Sequence, residues 1–99
     1  MLYMILGRDA DDSLNRRASA REAHLARIRV LLDEGRLVLA GPLPAVDADD
    51  PGPAGYAGSL VVAEFEDQAA ARDWAESDPY LQCGAWTGVE VHPFRQVLP

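Results

Sequence analysis

Two histidines, one cysteine and sixteen carboxylates are the groups in this chain best suited to move protons, hold a metal or attack an electrophile. The pattern singles out His24. Counting back four, seven and eight residues from Ile28, Leu31 and Leu32 lands on it, so it prolongs an apolar stripe at helical spacing. An imidazole titrates near pH ~6.5 and can act as general base or general acid around neutrality. A hydrogen-bonded structural histidine is the commoner occupant of such a border, and the helix by itself leaves both readings open. Arg21 and Arg27 lie one turn to either side and bring positive charge to that edge.

Other candidates are weaker. Asp47, Asp49 and Asp50 cluster, but they lack the spacing of a calcium loop and any histidine partner, so a solvated turn is expected. His92 sits on the predicted last strand and would have to approach His24. No His/Cys/Asp set has ligand spacing, so neither a metal nor another cofactor is expected. Ser59 offers a hydroxyl at the start of a strand, a place where serine is usually structural, and no nucleophile is assigned. Gly41 and Pro42 form either a cleft wall approached by a ligand or a plain sheet-edge turn. Tyr80 either lines a pocket or packs.

The elements that must carry these groups follow from local signals. Leu2 to Leu6 is an apolar run ended by Gly7, as in a buried strand. Leu14 to Arg17 is expected to make a short helical turn. The main helix is predicted over Ser19 to Gly35, with Ser19 and Glu22 as a capping box and Gly35 as the left-handed terminator. Arg36 to Leu39 reads as a strand, and Pro42 and Pro44 put its end at a sheet edge or outside the sheet. Ala45 to Gly58 reads as a long loop that is functional or mobile. Ser59 to Phe65 is the third strand, and Asp67 caps a second helix from Gln68 to about Glu76. Asp78 and Pro79 open a short third helix that Gly84 ends. Trp86 to Phe94 is the last strand.

The order β-α-β-β-α-β predicts an α+β, ferredoxin-like fold, an antiparallel sheet with its helices on one face and an extra short helix before the last strand. Leu2, Met4 and Leu6 alternate with Tyr3 and Ile5, and Leu60 and Val62 with Val61, Ala63 and Phe65. Both faces of these strands are therefore apolar, whereas helices cover only one. Self-association through the second face, as a homodimer, is the simplest solution.

Composition fits this picture. The 99 residues are 48% hydrophobic and 25% charged, ordinary values for one globular domain over residues 1–99. A net charge of −7 without a basic stripe argues against nucleic acid. No apolar run approaches the ~20 residues of a membrane span, and MLYMILG is short and lacks a basic leader. Cys83 stands alone, which excludes an intrachain disulfide and suits a reducing, cytoplasmic setting.

The opening MLYMI, the run AREAHLARIRVLLDEGRL, the segment AGPLPAVD, the strand GSLVVAEFE and the turn Asp78-Pro79-Tyr80 together resemble the YCII-related (YciI-like) family. The resemblance spans Leu2 to about Val97. It implies a ferredoxin-like fold that pairs into a dimeric α+β barrel. It also implies a cleft where a histidine of the first helix meets an aspartate after the second, here His24 and Asp78, as a candidate acid–base pair. Gly41, Pro42, Ser59 and Tyr80 fall around such a cleft as candidate substrate-binding residues. Some relatives act on chlorinated or hydroxylated aromatic rings, while the region around Cys83 and Trp86 varies in the family.

Three functions fit. The first is a cofactor-independent small-molecule enzyme of the lyase, isomerase or dehalogenation type, in which Asp78 orients His24. The second is a non-catalytic ligand-binding or accessory dimer. The third is a dimeric scaffold with a vestigial cleft.

Overall fold

The structure is a computed structural model describing residues Met1–Pro99. Four strands, β1 (Leu2–Asp9), β2 (Leu37–Pro44), β3 (Tyr56–Glu64) and β4 (Trp86–Phe94), form one antiparallel sheet in the order β2-β3-β1-β4. Three helices, α1 (Leu14–Asp33), α2 (Gln68–Glu76) and α3 (Pro79–Gln82), complete the split-βαβ, ferredoxin-like arrangement. This is the unit from which dimeric α+β barrels are built. None of the helices is long and apolar enough to cross a membrane.

Side-chain alternation sorts the sheet into two faces. Tyr3, Ile5, Val61, Ala63, Phe65 and Val91 are buried with Ile28 and Leu31 of α1 and Ala71 and Ala75 of α2 in the main core. Burying each large aliphatic side chain there contributes about 1.5–3 kcal/mol. The register pairs Met4 with Val62 and His92, and Leu6 with Leu60 and Glu90. These residues project on the opposite face, where Val62 is buried, Met4, Leu6 and Leu60 are half-buried, and Leu39, Leu43 and Phe94 are substantially exposed. No helix covers that second face.

The first helix differs from expectation at its start. It runs unbroken from Leu14, so the turn expected at Leu14–Arg17 and the main helix are one element. Ser19 is not a cap: its hydroxyl donates to the Arg16 carbonyl, as helix-interior serines do. The helix enters at Ser13, whose hydroxyl donates to Asp9. The Ser-x-x-Glu signal was overridden because Arg17 is tied to Asp9 of β1, which fixes the chain in helix before Ser19. The buried positions are Arg17, His24, Ile28 and Leu31, whereas Leu32, assigned to the stripe from sequence, is 58% exposed. The other end is as expected. Gly35, at φ 73°, lets its own N–H reach Leu32 O and that of Arg36 reach Leu31 O, closing the last turn.

The second strand continues through both prolines to Pro44. It can do so because it is the edge strand, where a missing N–H leaves no ladder bond unmade. The loop after it is correspondingly shorter, since β3 already begins at Tyr56.

Candidate functional site

A single carboxylate organises the site. Asp78 precedes α3, and its side chain accepts the Tyr80 N–H at 2.9 Å, capping that helix. The same group accepts from His24 Nδ1, at 2.8 Å to Oδ1 and 3.0 Å to Oδ2. A third donor, Arg27 Nη1, lies 3.4 Å from Oδ2. Asp78 is fully enclosed, with 0% exposure, and a buried carboxylate is tolerable only with donors arranged in this way. Arg27 is held by a hydrogen bond to the Trp74 carbonyl at 2.6 Å and by the Trp74 ring, 4.5 Å from its guanidinium carbon. Burial lowers the pKa of Arg27, opposed by the charge of Asp78.

This geometry selects one tautomer of the neutral His24 ring. A carboxylate only accepts, so the neutral imidazole carries its proton on Nδ1 and leaves Nε2 as a free acceptor. Nε2 has no partner in the chain, yet it is not among the enclosed orphan atoms, of which Trp86 Nε1 is the sole example. It opens to the cavity that His24 lines. The ring is clamped sideways: Tyr80 stacks on it at 3.9 Å between centroids, and Trp86 meets it edge-on at 5.6 Å.

The cavity, of about 530 Å³, lies between α1 and the β2–β3 half of the sheet. Leu25, Ile28, Leu37 and Val61 make an apolar wall, and Arg17, Arg21, His24, Ser59 and Tyr80 supply the polar groups. Few polar groups among apolar lining is the usual make-up of a small-molecule pocket.

Arg17 was not anticipated from sequence. It donates to both oxygens of Asp9 (2.6 and 2.8 Å), to the Gly58 carbonyl (3.0 Å) and to Ser59 Oγ (2.8 Å). Its guanidinium carbon lies 4.7 Å from the Tyr56 ring and 4.9 Å from that of Tyr80. Burial alone would loosen its proton, but the hydrogen bonds and charge of Asp9 outweigh that and raise its pKa. The available signal was the helical stripe: seven residues before His24 lies Arg17. Tyr80 is also perturbed, its phenol pKa raised by burial against the opposing charges of Arg17 and Arg21.

The remaining sequence candidates sort clearly. Ser59 lines the cavity with its hydroxyl turned to Arg17. Gly41 and Pro42 line it from β2, but a Cβ at Gly41 would meet nothing within 4 Å, so no close approach inside the chain demands glycine there. His92 sits on the other face of the sheet, 3.3 Å from Glu90. No three His, Cys, Asp or Glu side chains converge as a cation site.

A ferredoxin-like α+β unit with a buried His–Asp pair opening on an apolar cavity is therefore the class of protein defined by fold and geometry. The YCII-related domain model matches residues 1–95, and the chain belongs to that family. It is 56% identical over 98 residues to Protein YciI of Escherichia coli O6:H1, covering 99% of this chain and 100% of that one. An uncharacterized protein of Haemophilus influenzae is 46% identical over 98 residues, with the same coverage of both chains. Among solved structures, 5-chloro-2-hydroxyhydroquinone dehydrochlorinase (TftG) of Burkholderia phenoliruptrix AC1100, in complex with 2,5-dihydroxybenzoquinone, superposes with a TM-score of 0.81. It shares 27% identity, with 96% of this chain and 94% of that chain covered.

Proposed function

We propose that this protein is a cofactor-independent small-molecule enzyme in which His24 transfers protons and Asp78 orients it. The carrying observation is the His24 ring itself: Nδ1 tied to an enclosed carboxylate, Nε2 free at a cavity wall. In the simplest reaction, Nε2 takes an acidic proton from a keto tautomer of the bound substrate, in which the carbon that bears the leaving group is tetrahedral. The electron pair so released forms a new π bond and expels a leaving group, such as chloride, from a neighbouring carbon. The net change is loss of HX, and the imidazolium then gives its proton to water. Likeness to a dehydrochlorinase supports elimination over the isomerase and other lyase variants.

The test is chloride release from a panel of chlorinated hydroquinones by wild type and His24→Asn. Asparagine retains a donor for Asp78 and removes Nε2. General acid–base catalysis contributes about 10²–10⁴-fold, so the variant should lose that much turnover while binding ligand within a few-fold of wild type. Ligand binding without turnover by the wild type would favour the non-catalytic binding module instead. The apolar second face of the sheet supports a homodimer packed sheet to sheet. Sedimentation equilibrium should give twice the chain mass at micromolar concentration, and a monomer there would refute that assembly.

A further inference from the structure

The charge of the cavity is opposite to that of the chain. The protein has sixteen acidic residues against nine basic ones, yet no aspartate or glutamate lines the cavity, whereas Arg17, Arg21 and His24 do. Arg17 is neutralised by Asp9 at 2.6 Å. Arg21 is different: it lines the cavity, is solvent-exposed, and forms neither an ion pair nor a side-chain hydrogen bond. It stands one turn before His24 on α1, and both line the same cavity as Tyr80. The Tyr80 hydroxyl is within hydrogen-bonding reach of Arg17, which can only donate, so the phenol keeps its own proton for a ligand; His24 Nε2 is not among the enclosed orphans. An unpaired cation, an open imidazole nitrogen and a phenol thus line the same cavity as Leu25, Ile28, Leu37 and Val61.

We propose that this cavity selects a small anion with an apolar body, a carboxylate or an acidic enolate or phenolate, and that Arg21 is its charge-recognising residue. The inference rests on the acid–base reading above and adds the substrate class. The anionic oxygen sits between Arg21 and the Tyr80 hydroxyl, which brings the adjoining acidic position to His24 Nε2. The apolar body lies along the Ile28–Leu37 wall. No carboxylate of the chain pairs with Arg21, so its guanidinium is available to a ligand oxygen. A guanidinium also presents the planar donor fork that matches such oxygens.

Binding, rather than turnover, tests this independently of the enzyme reading. Two matched pairs of probes are titrated by NMR or calorimetry: benzoate against benzamide, and 2,5-dihydroxybenzoquinone against its dimethyl ether. A hydrogen bond to a charged group contributes about 1.5–3 kcal/mol, which is about ten- to a hundredfold in Kd. At least one anion should bind that much more tightly than its neutral counterpart. Arg21→Gln, an exposed substitution, should remove the preference and leave the neutral probe unaffected. Preference for benzoate alone identifies carboxylates, and for the quinone alone identifies enolates. Equal affinity for charged and neutral probes, no binding of either anion, or an unchanged anion Kd in Arg21→Gln would overturn the proposal. Loss of turnover in His24→Asn with the anion preference intact separates the two readings.

Discussion

Replacing Gly7 by alanine should damage the site from beneath. Gly7 has an ordinary backbone conformation, so its φ does not require glycine. Its neighbour does. A Cβ at Gly7 would lie 2.3 Å from Trp86 Cε2, 2.4 Å from Cδ2 and 2.7 Å from Cζ2. Ordinary contact begins at 3.4 Å, so the indole must retreat by about 1.1 Å, the difference between 3.4 and 2.3 Å. Trp86 is 2% exposed and packs against both His24 and Tyr80, so the retreat is passed to the His24 ring. Overpacking of this kind costs about 1–3 kcal/mol, and the depth of the overlap with a rigid ring puts Gly7→Ala at the upper end. For a domain of this size, each kcal/mol lowers Tm by about 4–8 °C. Thermal unfolding with Trp fluorescence reads both effects, and the ring-current shifts of His24 should change together with the Tm. A variant within about 0.5 kcal/mol of wild type, with His24 shifts unmoved, would refute this account of the Gly7–Trp86–His24 packing.

Two further outcomes follow from the buried charges. Arg17→Met strands the Asp9 carboxylate, whose side chain is 1% exposed, and should cost about 3–5 kcal/mol in urea unfolding. Adding Asp9→Leu should recover most of that loss, and a single variant of near wild-type stability would contradict the pairing. The second concerns Tyr80, whose folded-state pKa is raised by burial. The folded phenol holds its proton more tightly than the unfolded chain does, so the stability present below about pH 10 is lost as pH rises through the folded value. Tyr80→Phe should remove its share of the alkaline fall in the urea midpoint, and an identical fall in both proteins would contradict it.

Local signals carried most of the architecture. Asp67 and Asp78 cap the helices they were assigned to, Gly35 terminates α1, and Pro42 and Pro44 mark an edge strand. Each of these depends on groups only a few residues apart, or on the missing N–H of proline. The two-sided strands were equally legible, because alternation in β1 and β3 is a property of the chain alone. What escaped depends on distant partners. Helix α1 starts at Leu14 because Arg17 reaches back to Asp9 and across to Gly58 and Ser59. An arginine on a helical stripe reads as a solvated charge until that carboxylate is in place. Gly7 resembled a simple strand stop, and its steric role came into view only with Trp86 lying over it. The His24–Asp78 contact joins residues 54 apart in sequence, and the family resemblance, not spacing, pointed to it.

The most direct measurement is the tautomer of His24, read from two-bond ¹H–¹⁵N couplings in labelled protein at a pH where the ring is neutral. Nδ1 should carry the proton and donate to Asp78, with Nε2 unprotonated and available to a ligand. A neutral ring protonated on Nε2 would present a donor to the cavity, and His24 could not then serve as the base.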